Sequence, residues 1–196
     1  PMTLRTPRTI AVALALLVVL SMAGGSASAG AATDISVSIA DQELAPGETT
    51  TVTLAVGNAE GGVGAAELGV GVTDASVATI TDVSIAGDPG SATTEVTIAG
   101  DGSTADVKYA LADTADSGSV TFVTVTLQAE SAGSTDVAVS PMTGNDEIVV
   151  YDENGAGYTV GAVGSTSLTV TDPSAPATME VSGLTAPASL EQGGTA

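Results

Sequence analysis

The sequence contains no histidine, no cysteine and no tryptophan. The lack of histidine excludes Ser-His-Asp catalysis and imidazole acid–base chemistry. The lack of cysteine excludes thiol catalysis, thiolate zinc sites and disulfide cross-links. No G-x-x-x-x-G motif precedes Lys108, so a P-loop is excluded as well. We therefore predict that the protein is not an enzyme and needs no cofactor, apart from the calcium alternative described below.

Basic residues are also scarce, since three Lys and Arg stand against 23 Asp and Glu, a formal net charge of −20 at pH 7. Nucleic acids and anionic membrane surfaces are bound through Lys and Arg, so neither is expected as a partner. The acids are scattered rather than clustered, which is typical of a solvated surface. Such an acidic surface is typical of proteins that work in multimolar salt, where the Debye length is about 3 Å or less.

Aromatic residues make up only 2% of the chain, one Phe and three Tyr. The core must therefore be built from Val, Ile, Leu and Ala, and the 43% hydrophobic content favours a folded domain over disorder. Paired carboxylates could in principle hydrolyse glycosides, but few rings are present on which a sugar could stack. This scarcity supports the prediction that the protein is not an enzyme.

The first 29 residues have the features of a secretory signal peptide. Arg5 and Arg8 precede an apolar run at residues 10–20, and small residues end in an A-x-A site at 27–29. The run is too short to span a bilayer comfortably, although an uncleaved anchor is the alternative. We expect cleavage after Ala29 and a secreted or cell-surface protein. Lys108 would then face 23 acids alone, a net charge of 1 − 23 = −22.

Residues 30–171 predict an all-β domain, an antiparallel β-sandwich of the jelly-roll kind. About ten short runs that alternate apolar with polar residues are separated by Gly, Pro, Asp and Asn turns. In residues 105–111 the alternation predicts that Val107, Tyr109 and Leu111 point inward. Residues 148–151 and 158–163 flank an Asp-Glu-Asn-Gly turn and predict a hairpin.

The C-terminal residues predict a second module. Residues 172–177, DPSAPA, have the composition of a linker. Residues 178–196 then repeat the strand and Ala-Pro turn with which the domain begins, which predicts the start of a second β module. A frayed tail is the alternative.

Two candidate sites lie around the Asp-Glu-Asn-Gly turn. Oxygen ligands crowded near a Gly-rich turn suit Ca²⁺, and a solvated acidic hairpin is the alternative. The candidate calcium ligands are Asp146, Glu147, Asp152 and Asn154. Tyr151 and Tyr158 flank the same turn and could contact a carbohydrate, or they could simply fill strand ends.

The order of these features resembles the cohesin domain over about residues 34–171. The resemblance is carried by APGETTTVTL at 45–54, by the Gly-rich GGVGAAELGVGV at 61–72, by GSVTFVTVTL at 118–127 with AGST at 132–135, and by the strand after GAG at 155–157. Where cohesins usually carry Tyr-Asp at the end of the third strand, this chain has Thr73-Asp74.

The resemblance implies a non-catalytic scaffold module that binds a dockerin-like protein through one flat sheet face. Strand alternation then predicts Glu67, Asp106 and Lys108 as the outward residues of that face. Two alternatives remain open at this point: a polysaccharide-binding module, because related sandwiches share the layout, and a structural sandwich repeat of a cell-surface array.

Overall fold

The structure of the protein, a computed structural model, describes residues 31–173. Its only helical element within this range is a single 3-10 turn at Ser91–Thr93, and no helix there has the length and apolar character needed to cross a membrane. The twelve strands are β1 (Ala32–Ile39), β2 (Glu43–Leu44), β3 (Thr49–Glu60), β4 (Ala65–Val72), β5 (Ala78–Ile85), β6 (Thr94–Ile98), β7 (Thr104–Ala110), β8 (Ser117–Ala129), β9 (Gly133–Ser140), β10 (Val149–Tyr151), β11 (Thr159–Val163) and β12 (Ser165–Val170).

The strands form two sheets that pack face to face. Sheet A has the order β11-β1-β3-β8-β5, and sheet B has the order β2-β12-β9-β4-β7-β6, with β10 also paired to β4. The predicted all-β sandwich is confirmed. Most pairings are antiparallel, but β1 pairs with β11 and β12 pairs with β2 in parallel.

The alternation of β-branched and polar residues explains how the sheets form. In β3, Val52 and Leu54 are fully buried while Thr51 is exposed, and β8 matches this pattern across the ladder, where Val52 pairs with Val125. Threonine and valine both suit a pleated surface, one for the solvent side and one for the core. The two longest strands therefore build the centre of sheet A.

The core is aliphatic, as the composition predicts. Its six largest fully buried side chains include a single aromatic ring; they are Phe122, Ile35, Leu54, Leu68, Leu127 and Leu168. Sheet B contributes Leu68 and Leu168 from β4 and β12, so both sheets supply residues to one continuous core.

Two local predictions were wrong. The strands on either side of the Asp-Glu-Asn-Gly turn do not form a hairpin, because β10 joins β4 in sheet B while β11 joins β1 in sheet A. An isolated bridge from Tyr151 to Gly157 closes the turn before β11 begins. Leu111 does not point inward but is 70% exposed, since its left-handed φ of 65° breaks the alternation and leaves Ala112 in the buried position.

Residues 1–30 and 174–196 lie outside the described residues. The signal peptide, all but the first two residues of the linker and the second module therefore remain predictions.

Candidate partner-binding face

The outward surface of sheet B is centred on β4 and β7. In both strands the inward residues are fully buried, and the alternate residues, Glu67 in β4 and Asp106 and Lys108 in β7, are half-buried on the outside. Glu67 lies directly opposite Lys108, and Asp106 lies opposite Gly69. The structure therefore brings the three predicted residues together on one face.

Glu67 and Lys108 form an ion pair on this face. Lys108 Nζ lies 2.6 Å from Glu67 Oε1, and the two side chains are 33% and 27% exposed. On the other side of Lys108, Glu95 of β6 is its cross-strand partner and is exposed. The only Lys or Arg in residues 31–173 is thus flanked by two carboxylates, one in contact and one in register.

A loop of residues 141–148 packs against the same face. The Asn145 side-chain amide donates to Glu67 Oε2 at 3.1 Å, and the Thr143 backbone N–H donates to Asp106 Oδ1 at 3.0 Å. Gly69 is buried under this loop, where a Cβ would lie 3.0 Å from the carbonyl oxygen of Pro141. Both acids of the face are therefore held in fixed positions by the 141–148 loop.

Sequence reasoning missed this loop. β9 and β10 both pair with β4 and so continue each other across an interruption at residues 141–148, a relationship that only the structure shows. Strand periodicity alone assigns no role to the residues between two such segments.

The four predicted calcium ligands lie in two segments, Asp146 and Glu147 in the 141–148 loop and Asp152 and Asn154 in the turn after β10. Asp152 Oδ1 accepts hydrogen bonds from the backbone N–H groups of Asn154 and Ala156 at 2.9 and 2.7 Å, so it caps its own turn. Within residues 31–173, no three His, Cys, Asp or Glu side chains come together in a group that could hold a metal ion, and so Asp146, Glu147 and Asp152 do not. Asp152 thus caps its own turn, and the calcium site stays a prediction.

Glu153, the next residue, joins two loops at one end of sheet B. Its Oε1 accepts the Thr114 backbone N–H at 2.6 Å, and its own N–H donates to the Gly61 carbonyl at 3.0 Å. Gly64 lies beneath this contact, because a Cβ there would lie 2.7 Å from Glu153 Cα. The turn at residues 152–155 is therefore docked on the sandwich and does not project from it.

The two candidate carbohydrate-contacting tyrosines have separate roles. The Tyr158 hydroxyl accepts the Glu60 N–H at 3.1 Å and donates to the Gly62 carbonyl at 2.6 Å. Burial, together with nearby acids, raises the pKa of Tyr158 above its usual value. Tyr151 is 37% exposed and lies on the outward side of β10. The Tyr158 hydroxyl is occupied by these backbone bonds while the Tyr151 ring is exposed, so the carbohydrate hypothesis rests mainly on Tyr151.

Tyr109, inward on β7 as predicted, is buried at 2% exposure. Its hydroxyl has no hydrogen-bond partner among the described residues. Burial raises the pKa of this phenol far above its usual range. The buried Tyr109 hydroxyl therefore lowers the stability of the folded state and is not a reactive group.

The fold of this protein is similar to that of several solved structures, although its sequence has no match at the family level. No protein-family model and no curated protein matches the sequence. Among solved structures, the chain is similar to a cohesin module from a Clostridium perfringens family 33 glycoside hydrolase, with 11% identity, a TM-score of 0.54, and 72% of this chain and 98% of that one covered.

Two further structures extend the similarity. The chain matches a structure from a type I cohesin–dockerin complex of Clostridium thermocellum with 12% identity and a TM-score of 0.51, covering 75% of this chain and 99% of that one. It also matches a non-cellulosomal cohesin from the archaeon Archaeoglobus fulgidus with 17% identity and a TM-score of 0.50, covering 71% and 92%. The two-sheet sandwich of residues 31–173 therefore has the fold of a cohesin module.

Proposed function

We propose that this domain is a non-catalytic, extracellular scaffold module that binds a dockerin-like protein through the outward face of sheet B. The observation that carries the proposal is the arrangement of β4 and β7, which presents Glu67, Asp106 and Lys108 side by side on a domain with the cohesin fold. Solved structures of similar fold include complexes between a cohesin and a dockerin.

The chemistry of the face agrees with a binding role. The three side chains are half-buried, so they are positioned by the sheet and still reach solvent. The 141–148 loop fixes both carboxylates, which lowers the conformational entropy that a partner would have to remove. Absence of His and Cys from the whole chain is consistent with binding without catalysis.

The test uses recombinant dockerin modules encoded in the genome of the source organism, titrated calorimetrically into the full chain in multimolar salt. Lys108→Glu should weaken binding at least tenfold, because two like charges then face each other across β4 and β7. The double variant Glu67→Lys/Lys108→Glu keeps an ion pair but exchanges the positions of its two charges. It therefore shows whether binding needs only the pair or needs each charge at its own position.

Asp82→Lys provides the matched control, because Asp82 is exposed on β5 of sheet A. This substitution changes the net charge by the same amount as Lys108→Glu, but it lies outside sheet B. It should therefore leave the affinity for the dockerin module unchanged. If no dockerin module binds the wild-type chain, the proposed function is wrong.

Polysaccharide binding is the second candidate, favoured by the exposed ring of Tyr151. Affinity electrophoresis on cellulose, chitin and starch tests it. Retention that Tyr151→Ala abolishes, with no dockerin binding, would replace the first proposal by this one.

A further inference from the structure

An apolar strip crosses the outward face of sheet B next to the Glu67–Lys108 pair. Ala65 of β4 pairs with Tyr151 of β10 on one side and with Ala110 of β7 on the other. All three lie on the same side of the sheet, because their neighbours Val150, Ala66 and Tyr109 are buried on the other. With strands about 4.8 Å apart, Tyr151 and Ala110 are about 10 Å from each other.

Leu111 directly follows Ala110, the last residue of β7. It is 70% exposed, the most exposed large hydrophobic residue in the part of the chain that the structure describes. Its φ of 65° is one that only Gly, Asn and Asp adopt readily. A branched aliphatic side chain that is largely exposed on a strained backbone buries little apolar surface, and strain of this kind concentrates at functional positions.

The strip is held rigidly at both of its ends. The Gly64 N–H donates to the Tyr151 carbonyl at 2.9 Å, and the Gly64 carbonyl accepts the Ala112 N–H at 3.0 Å. The next residue, Asp113, donates its N–H to the Gly87 carbonyl at 2.9 Å. Tyr151 and the residue after Leu111 are therefore bonded to the same residue, Gly64, which directly precedes β4.

Charge around the strip is negative. Asp113 is exposed two residues after Leu111, and Glu153 follows Tyr151 by two residues. The nearest cation, Lys108, is already paired with Glu67. A complementary partner must therefore bring an apolar side chain for the strip and a basic side chain for its acidic border.

We propose that Leu111 and Tyr151 form the apolar anchor of the sheet B face and receive a partner segment in which an aliphatic side chain is flanked by Lys or Arg. This inference rests on the proposed function and names the chemistry of its partner. Leu111 fixes one end of the contact, and the Glu67–Lys108 pair lies one row inward. Rigid apolar anchors of this type commonly dominate the binding energy of an interface.

Leu111→Asn gives a test that misfolding cannot imitate. Asparagine accepts the left-handed backbone, so the variant should melt at a higher temperature than the wild type, while it should bind the strongest dockerin module of the panel at least tenfold more weakly. Leu111→Met keeps an apolar side chain and should bind within about threefold of the wild type. Asp113→Asn should weaken binding about threefold or more.

Asp88→Gly is the matched control. Asp88 is the other non-glycine residue with a left-handed backbone, at φ 44°, so the change alters a position of the same backbone kind without removing an apolar side chain. It should leave affinity unchanged.

The outcomes separate the two proposals. If Leu111→Asn binds like the wild type while Lys108→Glu does not, the anchor is wrong and the proposed function stands. If the wild-type chain binds no dockerin module, both are wrong. If sedimentation instead shows a dimer that Leu111→Asn dissociates, the strip is a contact between copies of this chain, and the anchor proposal is overturned.

Discussion

Glu67 and Lys108 occupy directly opposed positions on two antiparallel strands, and their charged atoms meet at 2.6 Å on the outer side of sheet B. Glu67 also accepts the side-chain amide of Asn145 from the 141–148 loop. The pair therefore connects two strands and a loop, and it sets the electrostatic character of the proposed binding face.

The pair should contribute little to stability despite this position. Both side chains are about one-third exposed, and pairs of this kind are usually worth about 0.2–1 kcal/mol. We expect a double-mutant cycle with Glu67→Gln and Lys108→Met, measured by urea unfolding, to give a coupling energy within that range that shrinks as salt is added. A coupling energy several times larger would show that the pair is structural and not primarily a binding feature.

Gly64 should be among the glycines least tolerant of a side chain. A Cβ there would lie 2.7 Å from Glu153 Cα and 2.8 Å from the Asp152 carbonyl oxygen, and both are backbone atoms that cannot rotate away. We expect Gly64→Ala to lower the unfolding free energy by about 1–3 kcal/mol, the usual range for overpacking. The measurement is chemical unfolding followed by circular dichroism.

Gly100→Ala is the control for this prediction. Nothing lies within 4 Å of a Cβ at Gly100, so its effect should stay within about 0.5 kcal/mol. Equal effects of the two substitutions would contradict the docking of the 152–155 turn on Gly64.

Tyr109 should make the domain sensitive to alkali. Burial raises the folded-state pKa of its phenol above the unfolded value of 10.0. A raised pKa gives stability that is fully present below pH 10 and is lost as the pH rises above it, because the unfolded chain then releases the proton more readily. Unfolding followed from pH 8 to 12 should show this loss.

Tyr109→Phe should reduce the alkaline loss and leave stability at pH 7 equal or higher. The substitution removes a buried hydroxyl that has no partner among the described residues, and such a group costs about 1–3 kcal/mol. Tyr158→Phe is the comparison, because that hydroxyl bonds to the backbone at Glu60 and Gly62, and its loss should destabilise the fold at pH 7. Destabilisation by Tyr109→Phe at pH 7 would mean that its hydroxyl is hydrogen-bonded after all.

The sequence was sufficient to predict the sandwich and the outward position of Glu67, Asp106 and Lys108, because burial enforces a period of two on every strand that has one face in the core. It was not sufficient at strand ends. Leu111 fits the alternation by composition but not by backbone, since its left-handed φ is set by the contacts of Ala112 and Asp113 with Gly64 and Gly87.

The predicted hairpin failed for a related physical reason. A turn sequence such as Asp-Glu-Asn-Gly specifies a change of direction and does not specify which sheet receives the next strand. Here β10 bonds to β4 and β11 bonds to β1, which lie in different sheets. The contact of Asn145 with Glu67 joins residues 78 positions apart, and no local pattern encodes a pairing of that length.

Salt should control the stability of the whole domain. Residues 31–173 carry a single Lys or Arg, Lys108, in a chain with 23 Asp and Glu, and the core is made of small aliphatic side chains with two aromatic rings, Phe122 and Tyr109. In dilute buffer the carboxylates repel one another over about 10 Å or more, while a domain of this kind has only about 5–15 kcal/mol of net stability. Added salt screens the repulsion, and a kosmotropic salt also strengthens apolar burial.

We expect the melting temperature, followed by circular dichroism, to rise steadily from dilute buffer to multimolar salt, with sulfate more effective than chloride at equal ionic strength. Screening alone would make the two salts equal, so their difference measures the apolar contribution. A melting temperature that stays constant over the whole range would show that the acidic surface is not an adaptation to salt.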